Sequence, residues 1–516
     1  MRTLVPAFTV ANMLALAAVN LAAPLVIATD ADATDHPGPS NKLFSKPYYA
    51  CSTNFYVSPT GNDQSSGTTP TTAWKTLQHA NNALPSGGKA AGACVNVAPG
   101  TYSGVELTNG GNLAAATGYV VYRCTALDAC TVQGNAGIHG AEAFETLPNT
   151  NGTPPNYLMF DGFVLDGADS SANGVGISSW NGNNSAAVAS HHVWVLNSII
   201  EGFGQSGVGI AASEYYYVIH NKIMDNSHLQ CNSQGSGVAI NIMHTVPNYT
   251  PTPDDLKNPN PMLGPTWVVG NSFFHNVVEW NVIRNNGLTQ CGTQNNPTDT
   301  DGNGIIFDTN LQSAGNSQDY LSPSLTAFNA VFNNGGSGIH VFLSADVTIA
   351  NNTCFNNQTD PGNGGTSRAC IDDSNGFGNT IINNIAVAAP APSGGSCWPV
   401  SPPYAKYNLA IGGWPAKAPY DTFSRNITYL RSTSCNSEVL VNNGDSYSCQ
   451  NNKCATDPLW TKVGTESIGT ETTPPVGRDF GLLGDSPATG YGLQESYLPA
   501  QSVDVGACAH GHPGCW

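Results

Sequence analysis

The chain has 516 residues, and its 35 Asp and Glu residues outnumber its 17 Lys and Arg residues, which gives a formal net charge of −18. This charge argues against binding to nucleic acid and against binding to anionic membrane surfaces. Charged residues make up only 10% of the chain. Asn, Gly, Ser and Thr take their place, and such a neutral polar composition suits carbohydrate, which proteins bind through amides, hydroxyls and aromatic faces.

The first residues read as an export signal. Arg2 precedes an apolar run from about residue 4 to residue 28, and Ala31-Asp32-Ala33 then form a small-x-small cleavage site. No second stretch is apolar enough to span a bilayer. We therefore expect a signal peptide over 1–33, a linker over 34–53, and a single secreted, monomeric domain over 54–516.

The domain begins with a predicted strand, a short helix and a second strand. The strand in NFYVSPTGND is followed by the amphipathic AWKTLQHANNAL, and VNVAPGTYSG closes this region at residue 104 with a Pro-Gly turn.

Six later segments share a Gly-rich turn, a short strand and an Ile at a fixed place. They are GVGISSW (174–180), GVGIAAS (207–213), GVAINIM (237–243), GNGIIFD (302–308), GSGIHVF (336–342) and RACIDDS (368–374). The steps from one Ile to the next are 33, 30, 65, 34 and 32 residues. A repeat near 32 residues is typical of a solenoid.

Parallel strands that return once per repeat stack about 4.8 Å apart. The repeats therefore predict an all-β protein, a right-handed parallel β-helix. One buried column should contain the shared Ile residues, which are Ile177, Ile210, Ile240, Ile305, Ile339 and Ile371.

An Asn-centred turn recurs between these strands. Its members are Asn197, Asn221, Asn281, Asn329, Asn352 and Asn384. Stacked amides can hydrogen-bond along a column, so we interpret all six as an internal ladder with a structural role.

The long step from Ile240 to Ile305 contains six prolines between positions 247 and 265, and they cannot all donate to a ladder. We interpret this step as one coil with a Pro-rich excursion near 245–266. Excursions of this length in a compact domain are more often functional than not. Irregular coils are expected from about residue 390.

Fourteen Cys residues in an exported chain predict disulfides. Cys231 and Cys291 form the best predicted pair, because they occupy the same place before consecutive Ile strands. Proximity in the sequence predicts three more pairs, which are Cys124 with Cys130, Cys397 with Cys435, and Cys508 with Cys515. The Cys spacing lacks the paired CxxC units of a zinc site.

The candidate catalytic residues follow from the alternation of side chains along a strand. If the shared Ile points inward, Asp308, His340 and Asp372 point outward from three successive coils, and Arg368 begins the last of these strands. Acid, imidazole and guanidinium converge nowhere else in the repeats, so we predict a catalytic face here. Solvated ion pairs are the alternative. Asp373 should point inward, which predicts either a bulge or a paired internal carboxylate.

The same face carries candidate binding residues. Trp180 and Phe342 could stack on sugar rings, and Asn241 could bind sugar hydroxyls. Asp299 and Asp301, in PTDTDGNG, could join Asp308 as oxygen ligands of a Ca²⁺ ion. A polar Asp/Gly turn is the alternative for these two residues.

The entry region, the six repeats, and the segments GLLGDSPATGYG (481–492) and DVGACAHG (504–511) together resemble pectate-lyase-like right-handed parallel β-helix proteins, over roughly positions 54 to 511. The resemblance implies that the N-terminal helix caps the open end of the stack. It also implies a superfamily of polysaccharide lyases, glycoside hydrolases, uronan epimerases and non-catalytic adhesins, among which fold alone does not choose.

We therefore predict a secreted enzyme that cleaves a polysaccharide. In the first reading it is a lyase that acts by β-elimination on a uronic-acid polymer, with His340 or Arg368 as the base. In the second it is a glycoside hydrolase of a plant or microbial cell-wall glycan, with Asp308 and Asp372 as the paired carboxyls. The third reading, a non-catalytic carbohydrate-binding or adhesion β-helix, predicts an outward face without convergent charge.

Overall fold

The computed structural model describes residues 49–507 except for a set of segments between them. These are 86–88, 113–117, 136–140, 150, 169–173, 180–188, 228–234, 253–254, 256–267, 270–271, 288–291, 294–295, 298–300, 315–317, 361–368, 390–408, 431–437, 442, 460–479, 481, 483–484, 496–497 and 499–503.

The described residues form short strands and one α-helix, α1 (Leu77–Ala83), with 3₁₀ turns at Pro70–Thr72 and Gln312–Ala314. In chain order the strands are β1 (Thr53–Val57), β2 (Ala93–Val97), β3 (Gly100–Ser103), β4 (Val105–Leu107), β5 (Val120–Cys124), β6 (Cys130–Gln133), β7 (Phe144–Thr146), β8 (Leu158–Asp161), β9 (Val164–Asp166), β10 (Ile177–Ser178), β11 (Val193–Leu196), β12 (Ile199–Glu201), β13 (Val208–Ala211), β14 (Tyr216–Ile219), β15 (Lys222–Met224), β16 (Val238–Asn241), β17 (Val268–Val269), β18 (Ser272–Phe273), β19 (Asn276–Glu279), β20 (Val282–Arg284), β21 (Gly292–Thr293), β22 (Asn296–Pro297), β23 (Ile305–Asp308), β24 (Ser324–Ala327), β25 (Ala330–Phe332), β26 (Ile339–Phe342), β27 (Val347–Ala350), β28 (Thr353–Phe355), β29 (Ala369–Ser374), β30 (Thr380–Ile382), β31 (Ile385–Ala388), β32 (Leu409–Trp414), β33 (Thr422–Ser424), β34 (Ile427–Leu430) and β35 (Val439–Val441).

Three parallel sheets run the length of the molecule. Sheet A has the order β1-β2-β5-β8-β11-β14-β19-β24-β27-β30-β33, sheet B has the order β3-β6-β9-β12-β15-β20-β25-β28-β31-β34, and sheet C has the order β4-β7-β10-β13-β16-β23-β26-β29-β32-β35. Each coil gives one strand to each sheet, and each strand pairs with its counterpart in the next coil. The predicted right-handed parallel β-helix is confirmed.

The apolar core lies inside the coils, and the six shared Ile residues are all buried in it. Our prediction that they form one column is wrong, because the register is shifted by two residues between β10 and β13 and between β16 and β23. Ile177 lies opposite Val208, and Ile305 lies opposite Val238. A shift by two residues keeps the same side chains inside, so the inward face was predicted correctly although the register was not.

The helix α1 covers the first strand of sheet C. The Gln78 side chain donates to the carbonyl of Glu106 and accepts from its amide, and Asn81 Oδ1 accepts from the amide of Thr108. These bonds satisfy backbone groups at an edge that has no preceding coil. The Thr76 side chain caps the helix by accepting from the amide of His79.

The turn from sheet A to sheet B is alike in successive coils and carries an asparagine ladder. Its members are Asn221, Asn281, Asn329, Asn352, Asn384, Asn426 and Asn452. In each step an Oδ1 atom accepts from both the amide and the Nδ2 group of the previous Asn, for example 2.9 and 3.0 Å from Asn281 to Asn329. All seven are buried.

Asn197 is not part of this ladder, which corrects our assignment. It precedes the ladder position, where Ser198 donates its amide to Asn221. Its backbone has a φ of 49°, and its side chain bonds Asp161 and His220 instead. Asn tolerates this left-handed conformation better than most residues.

A second ladder follows five residues after the first, at the end of the sheet B strands. It contains Asn226, Asn286, Asn334 and Asn357. The sequence signal was the constant offset of five, from Asn221 to Asn226 and from Asn281 to Asn286.

The step from Ile240 to Ile305 is a single coil, because β16 pairs directly with β23. The described part of its Pro-rich excursion packs outside sheet A. Asp255 accepts from Tyr249 Oη at 2.6 Å and lies 3.2 Å from His192 Nε2, while Glu214 accepts from the amide of Val246 at 2.8 Å. Burial lowers the pKa of His192, so this contact holds without requiring a charged imidazole.

Four disulfides join described cysteines. The predicted pair of Cys124 and Cys130 is confirmed. The pairs Cys51–Cys94, Cys354–Cys370 and Cys449–Cys454 were not predicted. At least one member of every other predicted pair lies outside the described residues, so Cys231–Cys291, Cys397–Cys435 and Cys508–Cys515 stay predictions.

The C-terminal segment packs along sheet B. Phe480 contacts the rings of Phe332 and Phe355, at 5.4 and 6.1 Å between ring centroids. The amide of Gly506 donates to the carbonyl of Asn383. Among the described residues, no helix is both long enough and apolar enough to cross a membrane.

Candidate active site on the outer face of sheet C

The connections between sheets differ in length, and this difference locates the candidate site. Two residues connect sheet A to sheet B in every coil except that of β5 and β6, as from Leu196 to Ile199. Most connections into and out of sheet C are longer, as from Phe332 to Ile339 and from Asp308 to Ser324. Functional sites commonly lie beside long connections on a rigid scaffold, so we expect a functional site on the outer face of sheet C.

The strand register aligns the predicted residues in two outward columns. One column runs Ile306, His340, Asp372 and Gly412, and the next runs Asn241, Asp308, Phe342, Ser374 and Trp414. Asp308, His340 and Asp372 therefore lie together on this face, as the alternation of side chains indicates.

His340 and Asp372 form a close pair. His340 Nδ1 lies 2.7 Å from Asp372 Oδ2, and both side chains have no exposed surface. Burial alone would lower the pKa of His340, but the charges of Asp372, Asp301 and Asp308 outweigh it and raise this pKa. Burial raises the pKa of Asp372, while His340 and a hydrogen bond from Ser337 oppose that shift. The carboxylate fixes the imidazole by its Nδ1 atom, which leaves Nε2 as the atom able to exchange a proton.

Asp308 is the second titratable group at the site. Burial raises the pKa of Asp308 to about 6, and the His340 charge partly offsets that effect. Its Oδ1 atom, His340 Nε2 and Asp372 Oδ1 are buried, and none of them has a hydrogen-bond partner. Buried polar atoms are normally paired, so each of these three atoms still needs a partner that the described side chains do not supply.

This burial corrects one expectation. We expected the outward-pointing His340 and Asp372 to be surface side chains, but their exposed fractions are 0% and 1%. The two side chains lie on the outer side of sheet C, but other residues cover them. Phe342 stacks beside His340 with ring centroids 5.8 Å apart.

Asn241 and Phe342 stand where binding residues were predicted. Asn241 lies directly opposite Asp308 on the neighbouring strand, and its Oδ1 atom is buried without a hydrogen-bond partner. Phe342 lies directly opposite Asp308 on the strand at its other side, β26. Both side chains are partly exposed.

Three predicted site residues, Arg368, Trp180 and Asp299, lie outside the described residues. Asp301 is buried, and its negative charge helps to raise the pKa of His340. The described residues contain no group of three or more His, Cys, Asp or Glu side chains that could hold a metal ion. Since Asp299 lies outside the described residues, the Ca²⁺ site of Asp299, Asp301 and Asp308 stays a prediction.

Asp373 was expected to be an internal group, and it is one. It lies inside the coil, and its Oδ1 atom accepts from Asn379 Nδ2 at 3.1 Å. Sequence reasoning missed Ser337, whose hydroxyl bonds Asp372. Its only signal was a Ser two residues before the shared Ile, at a place where the other five repeats have Val, Asn or Ala.

No family model matches the chain, and no curated protein matches it. Among solved structures it is similar to pectate lyase Pel9A, with 13% identity, a TM-score of 0.48, and coverage of 91% of this chain and 99% of that one. It is also similar to the A-module of the Azotobacter vinelandii mannuronan C-5 epimerase AlgE4, with 11% identity, a TM-score of 0.32, and coverage of 70% and 89%. A rhamnogalacturonan lyase matches with 11% identity, a TM-score of 0.33, and coverage of 78% and 86%. These similarities concern the fold alone, and the parallel β-helix of this chain rests on the pairing in its own three sheets.

Proposed function

We propose that this protein is a secreted enzyme that cleaves glycosidic bonds in a polysaccharide, by β-elimination on a polymer that contains uronic acid. The observation that carries the proposal is the His340–Asp372 pair. The Nε2 atom of His340 has no hydrogen-bond partner and lies on the outer side of sheet C. The neighbouring strand carries Asp308, whose pKa is raised to about 6. A general base is most effective when its pKa lies near the working pH.

In this proposal His340 is the base and Asp372 is its positioning residue. In the form of the site where Asp308 holds the proton, His340 Nε2 removes the hydrogen from C5 of the uronate. The electron pair forms the C4–C5 double bond, the bond from C4 to the glycosidic oxygen breaks, and that oxygen takes up a proton from water. Asp372 stabilises the imidazolium that forms, because its carboxylate accepts from Nδ1–H.

The sugar carboxylate must be neutralised while C5 loses its proton. Asn241 and protonated Asp308 lie opposite one another on adjacent strands, and both can donate hydrogen bonds to a carboxylate. Arg368, which directly precedes β29 in the sequence, would add a positive charge.

Hydrolysis of a neutral glycan is the second candidate, and one observation favours it. The chain has a net charge of −18, which repels a polyuronate at long range. Asp308, with its raised pKa, would protonate the leaving oxygen, as the acid of a glycosidase does. His340 would then activate the attacking water.

The four disulfides support export of the protein, since disulfides persist in oxidising compartments. We expect the enzyme to work outside the cell as a monomer on an extracellular polysaccharide.

A product assay separates the candidates. The purified protein is incubated with a panel of polyuronates and neutral glycans, and both ultraviolet absorbance of unsaturated uronate and new reducing ends are measured. Absorbance together with new ends supports the lyase. New ends without absorbance support the hydrolase, and neither signal on any member of a broad panel contradicts both. The variant His340→Ala, prepared in parallel, shows whether any activity belongs to this site.

A further inference from the structure

The outward column that contains His340 and Asp372 continues to a glycine. Gly412 lies directly opposite Asp372 on β32 and has no side chain to place beside it. A Cβ atom at Gly412 would lie 3.3 Å from Asp372 Cβ and only 2.7 and 2.8 Å from two ring atoms of Trp414. The ring of Trp414 therefore occupies the space that a side chain at position 412 would fill.

Trp414 reaches this place by folding back along its own strand. It belongs to the outward column of Asp308 and Phe342, two positions beyond Gly412, and it packs with Ala369 and Leu409 in one buried cluster. Trp414 is only 8% exposed. His340 thus flanks Asp372 on one side along the stack, and the indole flanks it on the other.

We propose that Trp414 is a positioning residue of the candidate active site, whose ring fills the space left by Gly412 and holds the Asp372 carboxyl against His340 away from water. The inference rests on the proposed function only for its kinetic consequence. Its structural part concerns the pKa of His340, which can be measured without substrate.

The physical reason lies in the local dielectric. The attraction between Asp372 and a protonated His340 is strong because water is excluded from both. If the indole is removed, water solvates the carboxylate, its field at His340 weakens, and the imidazole holds its proton less tightly. The Trp414 ring lies over Gly412, which is opposite Asp372, so this effect outweighs the smaller change in the solvation of His340 itself.

The test is a histidine NMR titration of the full-length protein, in which His340→Asn identifies the His340 resonance. We expect Trp414→Ala to lower the titration midpoint of His340 by roughly half a pH unit or more. Gly412→Ala should do the same, because its methyl group displaces the ring. Trp414→Phe keeps a ring over Gly412 and should stay near the parent value.

Trp280→Ala is the matched control, since Trp280 has the same 8% exposure but stacks on Phe328, outside the turn between sheets A and B. If a substrate is found, Trp414→Ala should also lower kcat roughly tenfold, with a smaller change in KM and a shifted pH profile. A His340 midpoint and pH profile that do not move, together with a loss of melting temperature like that of Trp280→Ala, would show that Trp414 is only a packing residue. Absence of activity on all substrates would overturn the proposed function and leave the titration result to decide the role of Trp414.

Discussion

The turn between sheets A and B and the outer face of sheet C are built from the same coils in opposite ways. At the turn, seven coils place an Asn at the same position, and each amide bonds the next. On the outer face of sheet C, successive coils place Asn241, Asp308 and Phe342 in one column. Repetition satisfies a structural need that every coil shares, whereas a departure from repetition has to be explained coil by coil. In this molecule the departures gather around His340.

The largest expected effect is on activity. His340→Ala should lower kcat by roughly 10²–10⁴-fold on the substrate found in the product assay, because the proton-transfer group is lost. Stability should change far less, since Asp372 can take up a proton when its partner is removed. Steady-state kinetics and thermal unfolding of the same preparation measure both quantities. Full activity in a folded His340→Ala variant would move the site away from this face.

The ladder should show the reverse behaviour. Asn329→Ala removes an Oδ1 that accepts from two groups of Asn281, and an Nδ2 that donates to Val278 and Asn352. Each buried group left without a partner costs about 1–3 kcal/mol, so we expect the free energy of unfolding to fall by roughly 3 kcal/mol or more. Chemical denaturation measures it.

The exposed Asn451 provides the matched control, and Asn451→Ala should cost less than about 0.5 kcal/mol. The fraction of Asn329→Ala that remains folded should keep the turnover of the parent. An equal loss of stability in the two variants would contradict the ladder's structural role.

A smaller effect is expected from three carboxyls of the last coils, of which Asp373 and Asp421 are buried and Asp445 is partly buried. Burial and the neighbouring Asp421 raise the pKa of Asp373 well above its usual range, and burial also raises the pKa of Asp421. Burial and Asp421 raise the pKa of Asp445 to about 7. These groups bind protons more tightly when the protein is folded. Stability should therefore be greatest at mildly acidic pH and fall as the pH rises through about 7.

We expect the free energy of unfolding to be about 1–3 kcal/mol larger at pH 5 than at pH 8. Asp373→Asn should flatten this dependence, because the isosteric amide cannot ionise, whereas Asp485→Asn on the exposed surface should not. Urea unfolding at a series of pH values gives the slope. A stability that rises from pH 5 to pH 8 in the parent would show that these carboxyls are ionised and well compensated.

The sequence predicted which side chains face inward better than it predicted their register. The Gly-x-Gly-Ile pattern fixes alternation, but Val175 and Ile177 both suit the interior, and a shift by two residues exchanges one for the other. The spacing alone could not exclude that shift, so the Ile column was misplaced at Ile177 and Ile305.

At the site, alternation was enough to bring Asp308, His340 and Asp372 to one face. It could not indicate their burial, because the covering side chains come from the neighbouring coils and connections. The indole of Trp414 lies over Gly412 only because Gly412 lacks a side chain. Gly412 lies opposite Asp372, and the sequence does not give this register between β29 and β32. The disulfides within coils, such as Cys354–Cys370, were missed for the same reason.

The most direct test of the proposed active site is a crystal structure of the Asp308→Asn variant with an oligouronate bound. We expect the sugar to lie across the outer face of sheet C, with its carboxylate within hydrogen-bond distance of Asn241 and of position 308. C5 of that sugar should lie about 3–3.5 Å from His340 Nε2, the separation of a near-attack complex. An oligosaccharide bound with its C5–H turned away from His340, or bound on another face of the stack, would contradict it.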